Sequence, residues 1–148
     1  MDNINISFTK AQYKTLLKLI YLGEWMHESH QDAESKDVTD VVQLIFSKTK
    51  EAGTESMIEY AEDLNKYFPT KNMEEIIHLL VEDYDEYTFW EELSDSLAER
   101  DFFEKYGEEL IEQMSMEKRF SLLQKIVEQY EKEFEISGIS NLVLKKPK

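Results

Sequence analysis

The stretch that most strongly predicts the fold class is SMEKRFSLLQKIVEQYEKEFEISG, residues 115–138. Its apolar residues alternate by four and three positions, as they do along the contact seam of a packed helix: Met116, Phe120, Leu123, Val127, Tyr130 and Phe134. Ser115 stands at a favourable N-cap position, and Gly138 stands where a helix commonly stops. The stretch therefore predicts a long amphipathic α-helix, whose seam fits either an intramolecular core or a dimer contact.

Helix signals of the same kind recur toward the N-terminus. A capping box pairs Ser, Thr, Asp or Asn with a Glu or Gln three residues later, and four pairs fit it: Thr9/Gln12, Asn72/Glu75, Thr88/Glu91 and Asp101/Glu104. Apolar residues at helical spacing also predict helices over residues 10–30, 38–51 and 55–66. Gly53 follows the second of these helices as a predicted C-cap.

These signals together predict an all-α fold, a single irregular domain over residues 1–148 with about six or seven helices. Apolar residues alternate at both ends of the chain, which favours a minimal two-stranded ribbon between the termini, formed by Ile4, Ile6, Phe8, Leu142 and Leu144. The predicted core consists of Leu16, Leu17, Ile20, Val42, Ile45, Ile77, Leu80, Leu93, Leu97, Phe103, Phe120, Leu123, Val127 and Tyr130.

The chain is strongly acidic, with a net charge of −15 over 148 residues. The charge is concentrated between Glu51 and Glu117, where 21 residues are acidic and four are basic. Such a field repels nucleic acid and anionic lipid and attracts basic proteins. We therefore expect the partner to be another protein, basic in character, and expect no direct binding of nucleic acid or membrane. An acidic surface also keeps a protein soluble, so the charge does not by itself require a partner.

Several functional classes are disfavoured by the residues that the chain lacks. It has no cysteine, and its four glycines are too scattered to form a phosphate-binding loop. The longest apolar run, residues 16–26, is shorter than the roughly 20 residues that a membrane span needs. Residues 1–10 show no secretory signal, so a cytoplasmic location is expected. We predict no enzymatic activity, no cofactor and no metal.

Aromatic and acidic residues are interleaved in the segment EDYDEYTFWEE, residues 82–92. Aromatic anchors dominate binding hot spots, and acidic neighbours steer a basic partner toward them. The segment therefore provides a candidate interaction surface, formed by Tyr84, Asp85, Glu86, Tyr87, Trp90, Glu91 and Glu92. The alternative is that Phe89, Trp90 and Leu93 belong to the core and that the acidic residues form its solvated face.

Glu24 and His27 form a second candidate, a buried polar pair on a helix that is apolar almost all round. Glu-x-x-His is also the pairing that di-iron bundles place on two of their helices, and the chain repeats it at Glu75 and His78. The second copy falls on the polar face of its helix, which argues against a metal site. We expect a hydrogen-bonded pair at the first position and solvated side chains at the second.

Two runs, FTKAQYKTLLKLIYLGEWM (residues 8–26) and YTFWEELSDSLAERDFFEKYGEEL (residues 87–110), resemble a family of small acidic hypothetical proteins of bacteria and their phages. The resemblance covers most of the chain and implies a bacterial or phage origin. It implies no activity and no functional residue.

Three functional hypotheses follow from these observations. The first is a non-enzymatic acidic module that binds or regulates another protein. The alternative is a DNA mimic that inhibits a nucleic-acid-binding protein, since DNA carries about one charge per 1.7 Å of axis and regularly spaced carboxylates imitate it. The third is an enzyme or metal site around Glu24 and His27.

Overall fold

The computed structural model describes residues 4–143 as five helices and two strands. In chain order these are α1 (Lys10–Glu28), α2 (Lys36–Phe46), α3 (Thr49–Ala52), β1 (Ile58–Ala61), β2 (Lys66–Pro69), α4 (Lys71–Gln113) and α5 (Met116–Ser137). The chain divides into two compact units, a first unit up to Glu82 and a second unit from Asp83 onward. The single-domain organisation expected from the sequence stays a prediction.

The prediction of a mostly helical fold is confirmed, but the predicted number of six or seven helices is wrong. Residues 4–143 contain four helices of 11 residues or more, together with the single turn α3. The capping pattern at Asn72 falls inside α4, whose first turn is capped by Thr70 instead, through a hydrogen bond from the Met73 amide. The patterns at Thr88 and Asp101 also fall inside α4, because neither a proline nor a glycine accompanies them to stop the helix. The break comes instead at Gly107, whose backbone is non-helical (φ 69°, ψ 158°).

A β-hairpin replaces the helix predicted over residues 55–66. Its antiparallel register pairs Tyr60 with Tyr67, and their ring centroids lie 4.8 Å apart. Asn65 closes the turn in the left-handed region (φ 51°) and accepts a hydrogen bond of 2.5 Å from the Tyr60 hydroxyl. Gln43 of α2 pairs with the outer edge of β2: its amide accepts from Tyr67 N at 2.8 Å and donates to Tyr67 O at 2.9 Å. The cross-strand contacts, together with the contact from the distant residue Gln43, outweigh the helical spacing of the segment.

The predicted ribbon between the termini is not formed by the described residues. Ile4, Ile6 and Phe8 lie in no strand and are exposed, and Leu142 also lies outside any strand. Leu144 lies outside the described residues. The alternation at the N-terminus finds no partner edge, so it gains no ladder hydrogen bonds.

The first unit is built around one apolar cluster, formed by Tyr13, Leu17, Val42, Phe46, Met57, Ile58, Met73, Ile77 and Val81. The predicted capping box is confirmed at the start of α1, where Thr9 and Gln12 exchange side-chain-to-backbone hydrogen bonds. The helix predicted over residues 38–51 is divided into α2 and α3, and Gly53 ends α3 in the left-handed conformation (φ 67°) that the sequence predicts for it. Of the predicted core, Leu80 is half exposed and does not belong to this cluster.

The second unit is a helical hairpin in which α5 folds back along α4. Contacts pair residues of the two helices in reverse order, since Trp90 lies against Phe134 and Tyr130 donates to Asp101. Ser115 caps α5 and Gly138 ends it, and both predictions are confirmed. The seam is buried only in its second half: Val127 and Phe134 are buried, Leu123 and Tyr130 are half-buried, and Met116 and Phe120 are exposed.

Two further core predictions are wrong in this unit. Phe103 on α4 and Phe120 on the first half of α5 are exposed by 54% and 69%. On α4, the buried face includes Phe102 and leaves the adjacent Phe103 in solvent. That face carries the buried residues Ser94, Ala98 and Phe102.

Candidate functional site

A groove of about 480 Å³ opens between α4 and α5 in the second unit. Seven residues line it: Tyr87, Trp90, Glu91, Ser94, Glu131, Phe134 and Glu135. On α4 the lining residues lie three, four and seven positions after Tyr87, and on α5 they lie three and four positions after Glu131, so each set shares one helical face. The lining is aromatic and acidic and contains no basic side chain. We refer to these seven residues as the acidic groove.

The aromatic part of the acidic groove is held by ring-to-ring contacts. The Trp90 ring lies 5.5 Å from Phe134 and 4.9 Å from Phe89, measured between centroids. Phe134 also stacks on Tyr130 at 5.8 Å. These separations are typical of attractive aromatic pairs. Phe134 is buried, whereas Trp90 is half-buried and Tyr87 is exposed by 65%, so two ring surfaces remain open to an incoming group.

The three carboxylates of the acidic groove have no basic partner within ion-pair distance among residues 4–143. Glu91 accepts a hydrogen bond of 3.3 Å from the Tyr87 hydroxyl. The pKa of the Tyr87 phenol is raised above its ordinary value, first by the charge of Glu91 and then by this hydrogen bond, with a smaller contribution from the charge of Glu131. Carboxylates of both helices therefore act on the same space, and their combined field favours a cation.

Ser94 is the most buried residue of the acidic groove, at 1% exposure. Its Oγ atom has no hydrogen-bond partner within the described part of the chain. A buried hydroxyl without a partner is uncommon and costs free energy, since it has lost its water. Ser94 therefore offers a donor and an acceptor that the fold itself does not use.

Two hydrogen bonds between α4 and α5, both made by the Tyr130 side chain, hold the walls of the groove in register. The Tyr130 hydroxyl of α5 donates to Asp101 of α4, and Arg100 donates to the same carboxylate at 2.7 Å and to the Tyr130 oxygen at 3.2 Å. Burial and the hydrogen bond to Asp101 both raise the pKa of Tyr130. Gly138 ends α5 with a positive φ of 52°, at a point where a Cβ atom would lie 3.9 Å from the Trp90 ring.

The candidate surface expected from the sequence is only partly gathered at this site. Tyr87, Trp90 and Glu91 line the acidic groove, whereas Tyr84, Asp85, Glu86 and Glu92 lie on exposed positions of α4 outside it. Sequence reasoning missed four lining residues: Ser94, Glu131, Phe134 and Glu135. The acidic residues that flank the seam residue Phe134 were an available signal, but their proximity to Trp90 depends on how the two helices pair.

Glu24 and His27 do not form the buried pair that the sequence suggests. Glu24 is half-buried, but His27 is exposed. Burial raises the pKa of Glu24, and the neighbouring charges of Glu28 and Glu34 raise it further, while Lys66 opposes them. The side chain therefore lies at the edge of the first unit, among other carboxylates, instead of against His27.

The second Glu-x-x-His pair is solvated, as expected. Glu75 and His78 are both exposed, and His78 Nε2 lies 3.0 Å from a Glu82 oxygen. Across residues 4–143, no three His, Cys, Asp or Glu side chains are grouped in a way that could hold a metal ion.

Within the same range, none of the helices combines the length and the apolar character that a membrane crossing needs. Comparison of the chain with family models, with curated proteins and with solved structures finds no match.

Proposed function

We propose that this chain is a non-enzymatic protein-binding module whose binding surface is the acidic groove of the second unit. One observation carries the proposal: open aromatic rings of Trp90 and Tyr87 lie beside three carboxylates that have no basic partner within the described residues. Half-open aromatic rings supply binding energy, and unpaired carboxylates supply orientation and a preference for basic partners. The partner in this proposal is a basic protein of the cytoplasm.

The DNA-mimic hypothesis is the second candidate, because the net charge of −15 also suits it. A mimic of the phosphate backbone needs a continuous acidic surface, and it gains nothing from aromatic rings between the carboxylates. The mixed lining of the acidic groove therefore favours the protein-binding module. The two differ in behaviour, since a mimic should be displaced by DNA and should lose its target steeply as salt rises.

The test is affinity capture with the tagged full chain, washed at physiological ionic strength. The variant Trp90→Ala removes the open ring, and the double variant Glu91→Gln/Glu135→Gln removes charge without touching the buried rings. Trp25→Ala is the matched control, because Trp25 is also a partly exposed tryptophan but belongs to α1 of the first unit.

We expect proteins that are retained by the wild type and by Trp25→Ala to be lost from both groove variants. Circular dichroism and thermal unfolding check that each variant is folded. Retention of the same proteins by both folded groove variants would overturn the proposal. Displacement of the captured proteins by duplex DNA would favour the mimic instead.

A further inference from the structure

We infer that the acidic groove binds the guanidinium group of an arginine side chain on a basic segment of the partner protein. The inference rests on the proposed function and names the chemistry that the groove recognises. It is carried by three features of the lining taken together: open aromatic rings, carboxylates without a basic partner among residues 4–143, and the Ser94 hydroxyl, which has no hydrogen-bond partner in the same range.

The rings favour a flat cation. Trp90 and Tyr87 each present part of an aromatic face to the groove, and the face of an aromatic ring attracts a positive charge. A guanidinium is planar and weakly hydrated, so it stacks on such a face at a lower desolvation cost than an ammonium group. Arginine therefore suits this lining better than lysine.

The acceptors of the groove also match the donors of a guanidinium. Glu91 lies on α4, and Glu131 and Glu135 lie on α5, so carboxylates border the space from both helices. Arginine carries five N–H donors, whereas lysine carries three. A carboxylate can accept two of the arginine donors side by side. The Ser94 hydroxyl lies at the most buried part of the lining and is almost closed to solvent, so it becomes one more acceptor only when the bound group displaces the neighbouring side chains.

The charge of the second unit favours a basic protein segment as the source of this cation. Residues 83–143 contain 17 acidic and six basic residues, so the field around the groove attracts a positively charged chain and repels anionic surfaces. The groove volume of about 480 Å³ falls within the usual range for sites that enclose a small group. It is sufficient for one anchoring side chain with the adjoining backbone of the segment.

The experiment is a fluorescence titration of the full chain in a Trp25→Phe background, which leaves Trp90 as the only tryptophan. The probe is an acetylated and amidated six-residue peptide with two arginines among glycines and serines. Matched peptides carry lysine or the neutral isostere citrulline in place of arginine. The titrations are made at about 0.15 M salt, where surface charges beyond roughly 8 Å are screened.

We expect a saturable change in Trp90 emission with the arginine peptide. Its affinity should exceed that of the lysine peptide by about fivefold or more, and the citrulline peptide should not bind. Glu131→Gln should weaken arginine binding by about tenfold, as for the loss of one charge-assisted hydrogen bond. Glu117→Gln makes the same change of charge on the same helix, about 21 Å away along its axis, and should leave the affinity unchanged.

Ser94→Ala gives a third measurement that does not depend on charge. It should weaken the binding of the arginine peptide by a few-fold and leave the weak binding of the lysine peptide unchanged. The reason is that three carboxylates can accept all three donors of a lysine, whereas a guanidinium has two further donors for the hydroxyl.

Equal affinity for the arginine and lysine peptides would overturn the inference, because it would indicate general charge attraction. Equal effects of Glu131→Gln and Glu117→Gln would overturn it for the same reason. The result with the arginine peptide is compared with the capture experiment on Trp90→Ala and Glu91→Gln/Glu135→Gln, the two groove variants of the proposed function. If the peptide fails to bind while both of these variants still lose the captured partner, this inference is wrong and the proposed function stands. If the groove variants also keep the partner, both are wrong.

Discussion

Replacing Gln43 by alanine should destabilise the first unit measurably, although Gln43 is a polar side chain at a partly buried position. Its amide forms two hydrogen bonds with the backbone of Tyr67, of 2.8 and 2.9 Å, and so takes the place of a neighbouring strand along β2. A partly buried hydrogen bond contributes about 0.5–1.5 kcal/mol net, so the loss of both should lower the free energy of unfolding by about 1–3 kcal/mol.

Equilibrium urea unfolding, monitored by circular dichroism, measures the change in the free energy of unfolding. Hydrogen exchange at the Tyr67 amide measures the local loss of protection. Gln43→Glu provides a sharper test, because a carboxylate can accept from Tyr67 N but cannot donate to Tyr67 O. Two acceptors then face each other at neutral pH, so this variant should be the less stable of the two. Protonation restores the donor, so its deficit should shrink as the pH falls through the pKa of the new carboxyl group.

If Gln43→Ala had a free energy of unfolding within about 0.5 kcal/mol of the wild type and left the exchange of the Tyr67 amide unchanged, the two hydrogen bonds would not stabilise the first unit as expected. A Gln43→Glu variant whose deficit does not depend on pH would also contradict this expectation. Either result would mean that Tyr67 finds equivalent hydrogen bonds elsewhere, such as with water.

Three further predictions concern single residues. Glu24→Gln should raise the melting temperature at neutral pH, because burial raises the pKa of Glu24 and its ionised form costs stability; the gain should disappear as the pH falls through that raised pKa to the ordinary value of 4.5. Ser94→Ala should raise the free energy of unfolding by about 1 kcal/mol, measured by urea unfolding, since it removes an unpartnered buried hydroxyl; a loss of stability would contradict this. Gly53→Ala should lower the free energy of unfolding by about 1 kcal/mol because of the left-handed backbone alone, since a Cβ atom there would meet nothing closer than 3.8 Å. An unchanged urea midpoint would contradict this.

Helix ends were predictable because their signals are local. The cap at Thr9, the left-handed stop at Gly53 and the two ends of α5 each depend on a few adjacent residues. The same local signals failed at Thr88 and Asp101, which lie inside α4. A capping pattern permits a helix to start but does not force the preceding one to stop.

The hairpin and half of the acidic groove could not be predicted, because both depend on contacts with residues that are distant in the sequence. The spacing of residues 55–66 fits a helix, and only the contact between Gln43 and Tyr67 shows why a strand is preferred. Trp90 was recognisable from its acidic neighbours, whereas its contact with Phe134 requires the register of α4 against α5. Sequence therefore identified three of the four lining residues on α4, all but Ser94, and none of those on α5.

The three carboxylates of the acidic groove, which have no basic partner among residues 4–143, repel one another when the groove is empty. Glu131 and Glu135 stand one turn apart on α5, where like charges cost a few tenths of a kcal/mol, and Glu91 adds to the repulsion from α4. A cation that enters relieves this repulsion in addition to making its own contacts. Occupancy and folding are then linked, so the second unit should melt at a higher temperature when the groove is filled. The melting temperature of the second unit would thus indicate what fraction of the protein is bound to its partner.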